Sequence, residues 1–147
     1  ELADLVRQRF RDPRSTLHEL FARLTFNILV GNTDDHARNH AAFWDGEALK
    51  ITPAYDICPQ PRTGGEVNQA MAIGGNRGNQ STLDNARSVS EHFMLSGDEA
   101  TNMINRQVET IRADWESVCN DADLPGGERT RLWKGPVLNP FCFEAWK

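Results

Sequence analysis

The strongest constraint on the fold is a long stretch whose apolar residues recur on one helical face. Ser96-Gly97-Asp98-Glu99 opens this stretch and fits a capping box, in which the Ser and Glu side chains each accept a hydrogen bond from the other residue's backbone N–H. The apolar residues that follow are Ala100, Met103, Ile104, Val108, Ile111, Trp115 and Val118. A helix with one apolar face must bury that face, so the sequence predicts a domain built mainly of packed helices.

Two helices are predicted in the N-terminal part of the chain. Residues 1–11 have apolar residues near helical spacing, and Asp12-Pro13 should end that helix. A second helix is predicted to start at a capping box formed by Thr16 and Glu19 and to end at Gly31. Its apolar stripe is expected to be buried and consists of Leu17, Leu20, Phe21, Leu24, Ile28 and Leu29.

Further helices are predicted towards the C-terminal end. Ser81 or Thr82 could cap a helix that runs to about Leu95, and a short helix is expected over residues 128–134. The tail, residues 139–147, is rich in aromatic side chains. We expect the tail to pack onto the body of the domain, and a surface for a partner is the alternative.

A small β element is predicted between the second helix and the later ones. Residues 41–44 and 49–52 have the composition of short strands, and Asp45-Gly46 between them is a typical hairpin turn. Residues 60–80 are rich in Gly, Asn, Pro and Arg, which predicts a long loop around a short strand at residues 69–73. The predicted fold class is therefore mainly α, with a small β-hairpin.

Composition limits the kinds of protein to which the chain can belong. It has 147 residues and a net charge of −5, which suits one globular domain and argues against a strongly cationic nucleic-acid-coating protein. No apolar run approaches the roughly 18 residues that a membrane span needs. Three scattered cysteines without zinc-site spacing favour a reduced, cytoplasmic setting. Because residue 1 is Glu and not Met, we expect a piece of a longer protein or a processed form.

The densest polar cluster runs from Gly31 to His40, between the apolar second helix and the hairpin. Within it, Asp34 and Asn39 have the D-x-x-x-x-N spacing of a protein-kinase catalytic loop, and Asp56 follows the second strand. Phosphoryl transfer needs a carboxylate that accepts a hydroxyl proton and hard oxygen ligands that hold magnesium. Asp34 suits the first task, and Asn39 and Asp56 suit the second.

Simpler interpretations of these residues remain open. Asp34 and Asp35 could cap a helix or a turn. His36 and His40 are four residues apart and would share one face of a helix, as in some zinc sites. No third zinc ligand is evident, so His36 is favoured as a hydrogen-bonding residue that orients the loop.

Basic and glycine-rich positions also have two interpretations each. The side chains of Lys50, Arg62, Arg77 and Arg87 could gather a phosphate group or could be solvated surface charge, and the second interpretation is favoured. Gly74-Gly75 could form an anion-binding nest or simply a turn.

Two polar segments of the chain resemble those of a known protein family. The segment Gly31 to His40, together with Thr52-Pro53-Ala54-Tyr55-Asp56-Ile57, resembles the catalytic signature of HipA-like serine/threonine kinases. These kinases are the toxin halves of bacterial HipA–HipB toxin–antitoxin pairs. Met71-Ala72-Ile73-Gly74-Gly75 also resembles a recurring segment of that family, and the helical remainder is similar to the family's C-terminal lobe.

The resemblance implies roles for five residues. Asp34 would be the catalytic base, and Asn39 and Asp56 would bind magnesium and, through it, ATP. His36 and Arg38 occupy the family's H-x-K/R-N positions. Arg38 stands where many members have Lys, which keeps the positive charge and changes the donor geometry.

The resemblance also implies substrates and partners. ATP would be the phosphate donor, and proteins would be the acceptors, aminoacyl-tRNA synthetases among them. A HipB-like helix-turn-helix antitoxin would be the partner, so that contact with nucleic acid would be indirect, and no membrane contact is implied.

One departure from the kinase pattern is large. The sequence contains neither the G-x-G-x-x-G loop nor the V-A-I-K strand that kinases place over the ATP phosphates. We therefore expect residues 1–147 to be the C-terminal lobe without its N-terminal lobe, and to be inactive or nearly so alone. The alternatives are a noncatalytic module that binds a helix-turn-helix antitoxin, and a small-molecule or lipid phosphotransferase.

Overall fold

The computed structural model describes residues 1–61, 67–74 and 77–146 of the chain. Its helices are α1 (Leu2–Arg9), α2 (Pro13–Val30), α3 (Leu83–Ser88), α4 (Gly97–Asp121) and α5 (Gly126–Lys134). Short 3-10 turns cover Ala37–Asn39, Ser90–Phe93 and Pro140–Phe143, and the strands are β1 (Ala42–Trp44) and β2 (Leu49–Ile51). The predicted class, mainly α with a small hairpin, is confirmed.

Helix α2 is the centre of the domain, and α1, α3 and α4 pack around it. Its apolar side chains enter two clusters. The larger cluster joins α2 to α3, α4 and the tail, and its buried members include Phe21, Ile28, Leu29, Leu83, Ala86 and Ile104. The smaller cluster joins α2 to α1 through Val6, Leu17 and Leu20. Each fully buried large side chain contributes about 1.5–3 kcal/mol relative to exposure, so these clusters supply most of the driving force for folding.

The predicted start of α2 is wrong by four residues. The helix begins at Pro13, and Asp12 caps it by accepting a 3.1 Å hydrogen bond from the Ser15 N–H. Thr16 is buried inside the helix, and Glu19 lies a turn further on. An Asp cap followed by proline is a favoured helix start, because proline lacks the N–H that would otherwise be unpaired in the first turn. The helix therefore starts at Asp12-Pro13 and not at the Thr-x-x-Glu pattern.

The capping box of α4 is confirmed. The Glu99 N–H donates to Ser96 Oγ at 3.2 Å, and the Ser96 N–H donates to Glu99 Oε2 at 2.8 Å. That backbone hydrogen bond lowers the pKa of Glu99. The apolar face of α4 is buried at Ala100, Ile104 and Val108 and partly buried at Ile111 and Trp115, whereas Val118 is 57% exposed. Towards the end of α4, Trp115 packs against Trp133 of α5, with 5.1 Å between the ring centroids.

The predicted helix from residue 81 or 82 to about residue 95 is shorter in the structure. Thr82 is its cap and accepts a hydrogen bond from the Asn85 N–H, but α3 ends at Ser88. At Val89 the backbone leaves helical geometry (φ −111°, ψ 11°), and a 3-10 turn follows. The predicted strand at residues 69–73 is wrong: within the described part of the chain these residues pair with no strand, and the adjacent Asn68 forms an isolated bridge with Gln80. Residues 62–66 and 75–76 of the predicted long loop lie outside the described residues.

The hairpin is confirmed as an antiparallel pair of strands in which Phe43 lies opposite Lys50. Its turn is held by Asp45, whose Oδ1 accepts hydrogen bonds from the N–H groups of Glu47 and Ala48 at 3.0 and 2.9 Å. These two bonds, and Arg11 at 2.5 Å, lower the pKa of Asp45 to about 2.

The C-terminal segment packs onto the body, as expected for residues 139–146, and residue 147 lies outside the described residues. Cys142 is buried in the large cluster, and Phe143 and Trp146 pack against it. The short helix predicted near residue 128 is confirmed as α5. None of the described helices combines the length and the apolar character that a membrane span requires.

Candidate active site

The polar loop begins where Gly31 ends α2. Gly31 has φ +71°, a left-handed conformation that favours glycine, and the Asn32 N–H donates back to the Asn27 carbonyl at 2.8 Å. The C-terminal segment covers this helix end. Pro136 lies directly against Gly31, and the Leu138 N–H donates to an α2 carbonyl at 2.7 Å. The start of the loop is thus fixed from both sides.

The predicted base and the first predicted metal ligand lie in this loop. Asp34 is exposed, and the following residues form the 3-10 turn that ends at Asn39. The Asn39 N–H donates to the His36 carbonyl at 2.8 Å, and Asn39 is only 7% exposed. The loop therefore presents an open carboxylate at one end and a nearly buried amide at the other.

The second predicted metal ligand lies on the far side of the hairpin, yet the structure joins it to the loop. The Tyr55 hydroxyl donates to the Arg38 carbonyl at 2.6 Å, and Asn32 Nδ2 lies 3.5 Å from the Asp56 carbonyl oxygen. Tyr55 immediately precedes Asp56, and Arg38 immediately precedes Asn39. One hydrogen bond therefore connects the direct neighbours of the two predicted magnesium ligands.

The backbone at Asp56 has an uncommon conformation. Its φ is +58°, in the left-handed region that only Gly, Asn and Asp adopt with much frequency, and its side chain is exposed. Residues held in sparsely populated backbone conformations are concentrated at functional sites. This geometry turns the chain sharply just after Tyr55 and leaves the Asp56 carboxylate open to a ligand.

A buried arginine of α2 holds the hairpin in place. Arg23 is 7% exposed, donates from Nε to Glu19 at 2.8 Å, and donates from Nη2 to the Thr52 carbonyl at 2.6 Å. The Thr52 N–H in turn donates to the Ala41 carbonyl at 3.0 Å. This chain of contacts fixes both ends of the hairpin, and hence both segments of the candidate site, relative to the central helix.

The geometry of the loop does not favour its interpretation as a zinc site or as a helix cap. Residues between His36 and His40 form a 3-10 turn, so their spacing does not put both rings on one α-helical face. Among the described residues, neither Asp34 nor Asp35 accepts a capping hydrogen bond. Also among these residues, no three His, Cys, Asp or Glu side chains are arranged to hold a metal ion. Asp35 instead lies against His40, whose Nε2 is 3.1 Å from Asp35 Oδ1.

The basic residues considered as phosphate ligands lie elsewhere. Arg77 and Arg87 both approach Asp84, at 3.8 and 3.5 Å, which favours the surface-charge interpretation. Lys50 is exposed on β2, and Arg62 is outside the described residues. The possible anion nest at residues 74–75 cannot be compared with the structure, because residue 75 is also outside them.

Two residues of the site were missed as contributors by the sequence analysis. Asn32 and Tyr55 lie within the quoted motifs, but nothing in their spacing predicts that they join the two segments. The carboxylate and amide oxygens of Asp56 and Asn39 are of the hard type that magnesium prefers, and one or two such protein ligands suffice when phosphate supplies others. The chemistry of this donor set fits magnesium.

The fold and the site define a mainly helical domain in which a polar loop is joined to the segment that follows a β-hairpin. The chain belongs to the HipA-like C-terminal domain family, which matches residues 1–115.

One curated relative was found, named "Putative kinase Y4mE", from Sinorhizobium fredii (strain NBRC 101917 / NGR234). It is 32% identical over 54 residues, which is 37% of this chain and 13% of the relative. The chain thus matches a small part of the relative's length. No solved structure is a significant match.

Proposed function

We propose that this chain is the C-terminal catalytic part of a bacterial serine/threonine protein kinase of the HipA type, which depends on ATP and magnesium. The observation that carries the proposal is the 2.6 Å hydrogen bond from Tyr55 to Arg38, because it brings the Asp56 segment to the loop that contains Asp34 and Asn39. Membership of the HipA-like family and the relative's name are consistent with it.

Asp34 is the proposed catalytic base. Its exposed carboxylate is accessible to an acceptor hydroxyl, and proton acceptance by such a group contributes typically 10²–10⁴ in rate. Arg38 is exposed in the same loop and is proposed to attract phosphate. His36 is partly buried, so its proposed task is to orient the loop.

Asn39 and Asp56 are the proposed magnesium ligands. When bound, the ion would neutralise the charge of the phosphate oxygens and orient them towards the acceptor. The protein's own contribution is the positioning of these two side chains. The 3-10 turn holds Asn39, and the left-handed backbone conformation holds Asp56.

The chain alone is proposed to be inactive or nearly so. A kinase also needs a glycine-rich loop and a strand lysine over the ATP phosphates, and the sequence contains neither pattern. The active protein is therefore proposed to include a further lobe. Its proposed partner is a HipB-like helix-turn-helix antitoxin, through which contact with nucleic acid would be indirect. The proposed phosphate acceptor is a protein such as an aminoacyl-tRNA synthetase, and the proposed location is the cytoplasm.

The proposal is tested in the full-length protein by following phosphate transfer from labelled ATP, with and without magnesium. Asp34→Asn is expected to lower the rate at least 100-fold, and Asp56→Asn is expected to lower it while raising the magnesium concentration needed. Asp114→Asn is the matched control, because Asp114 is exposed on α4 away from the loop. Circular dichroism shows whether each variant folds.

A folded Asp56→Asn protein with unchanged rate and unchanged magnesium dependence would refute the metal role. Ordinary kinase rates from the isolated 147-residue chain would refute the need for a second lobe. A full-length protein that binds a helix-turn-helix antitoxin but transfers no phosphate would instead support the noncatalytic alternative.

A further inference from the structure

A cavity of about 440 Å³ borders the polar loop at Asp35 and His40. It is also lined by α1, α2, residues 69–74 and the 3-10 turn Ser90–Phe93. Neither Asp34 nor Asp56 lines it, so it is separate from the candidate active site. Its volume is in the range that binds small organic molecules.

Most of the cavity wall is apolar. The side chains that provide this surface come from all four elements and include Leu2, Leu20, Leu24, Met71, Ile73 and Phe93. A wall of this kind favours a ligand with an aromatic or aliphatic body, because burial of that body removes apolar surface from water.

Among the polar side chains that line the cavity, three are at least nine-tenths buried. The exposed fractions of the Asp35 and His40 side chains are 8% and 9%, and Gln69 is 2% exposed. Among the described residues, neither ring nitrogen of His40 has a hydrogen-bond partner of good geometry, and the Gln69 carbonyl oxygen Oε1 has none. Buried polar atoms without partners are rare in proteins, and each calls for a ligand, an ion or a water.

The neighbours of these side chains determine which hydrogen-bonding groups remain available. Gln69 Nε2 donates to Ser81 Oγ at 2.9 Å, which leaves its oxygen as an acceptor. His40 Nε2 lies 3.1 Å from Asp35 Oδ1, and the Asp35 side chain has a second carboxyl oxygen. Asp35 is an acceptor as well. Acceptors therefore predominate at the polar part of this wall.

Charged groups at the cavity mouth do not change the preference of the wall for a ligand that donates hydrogen bonds. Arg7 donates to Asp4 at 2.8 Å and also to the His92 carbonyl, so its guanidinium is already engaged. The Asp35 carboxylate is then the buried charge that faces an occupant.

We propose that this cavity binds a small organic amine whose ammonium or amino N–H groups donate to Asp35 and Gln69, and whose body fills the apolar part. An amine supplies the donors that the wall lacks and a positive charge opposite Asp35. The proposal stands independently of phosphoryl transfer, since it uses none of the proposed catalytic residues.

The test is titration of the ¹⁵N-labelled 147-residue chain with two pairs of probes, monitored by NMR chemical shifts. Tryptamine is compared with indole-3-acetate, and benzylamine is compared with benzoate, so that each pair keeps the ring and reverses the charge. At least one amine is expected to bind about tenfold more tightly than its paired acid, with shift changes centred on residues 69–74 and His40.

Variants identify the groups that recognise the amine. Asp35→Asn is expected to weaken amine binding about tenfold, and Gln69→Leu is expected to weaken it several-fold. Ala72→Trp, at an exposed residue of the cavity lining, is expected to abolish binding without removing a core side chain. Asp114→Asn is the matched control and is expected to bind normally.

Several outcomes would overturn the proposal. It would be refuted if each amine bound no more tightly than its paired acid, or if the shift changes were centred away from the cavity. It would also be refuted if a folded Asp35→Asn or Ala72→Trp protein bound the amine as tightly as the original protein, or if neither amine bound. The last result would indicate that an apolar segment of a longer protein, or water, fills the cavity.

Discussion

Replacement of Gly31 by alanine should destabilise the protein by more than an ordinary glycine substitution, for two separate reasons. The backbone there has φ +71°, and an L-residue in the left-handed region costs about 1–2 kcal/mol. An added Cβ would also lie 2.5 Å from the Pro136 Cβ and 2.8 Å from the Pro136 carbonyl oxygen. Since the second contact is with backbone, it cannot be relieved by rotating a side chain.

The expected loss for Gly31→Ala follows from these two effects. Overpacking of this kind costs about 1–3 kcal/mol, and the reduced entropy of the unfolded chain returns about 0.4–1 kcal/mol. The net loss is then about 2–4 kcal/mol, a large fraction of the 5–15 kcal/mol that typical domains possess. With a urea m-value of about 2 kcal/mol/M, the unfolding midpoint should fall by about 1–2 M.

Two control variants separate the causes, and urea unfolding followed by circular dichroism measures all three. Gly78 also has a left-handed backbone, φ +59°, but no described atom lies within 4 Å of a Cβ built there. Gly78→Ala should therefore lose only about 1 kcal/mol or less. Gly127→Ala, in α5 with open space around it, should be neutral or slightly stabilising. A loss for Gly31→Ala no greater than that for Gly78→Ala would refute the close-contact reasoning.

Three further predictions concern other local contacts. Ser96→Ala removes the cap of α4 and should cost about 1 kcal/mol in urea unfolding, with Thr110→Ala on the exposed face of the helix as control. The lowered pKa of Asp45, about 2, stabilises the fold above pH 3.8, and this contribution should fade as the pH falls towards 2. Asp45→Asn should lack that part of the pH dependence when both proteins are unfolded between pH 2 and 5. Asn32→Ala should cost about 1–3 kcal/mol, because the buried Asn27 Oδ1 loses its 3.1 Å donor, and unchanged stability would contradict this.

Local signals in the sequence predicted helix ends and turns well where a few adjacent residues determine the backbone conformation. The Ser96 and Glu99 pair, the glycine at the end of α2 and the Asp-Gly turn each satisfy or release backbone groups within a few residues, so no tertiary information is needed. The start of α2 was wrong because two adjacent local signals competed. Asp12-Pro13 prevailed over the Thr16 pattern, and spacing alone does not rank them.

Errors elsewhere came from contacts between distant segments. The strand predicted at residues 69–73 lacks a neighbouring strand, since the backbone there bonds to residues 33 and 78–79 instead. The exposure of Val118 on α4 shows that a residue of an apolar stripe is buried only where another element covers it. In the candidate site, the motif spacing predicted which residues matter, but the Tyr55 to Arg38 bond that joins the two segments arises only in the folded chain.

The C-terminal segment around Pro136 and Leu138, which covers the end of α2, has a consequence for synthesis on the ribosome. Pro136 and Leu138 are made long after Gly31, and a bacterial or eukaryotic ribosome adds only about 5–20 residues each second. During that interval the nascent chain can form α2, but the residues that fix the start of the polar loop are still missing. A product released before residue 136 would carry every motif residue of the site and still lack the contacts that hold the loop in position. A segment that emerges late is thus the one that completes the first half of the domain.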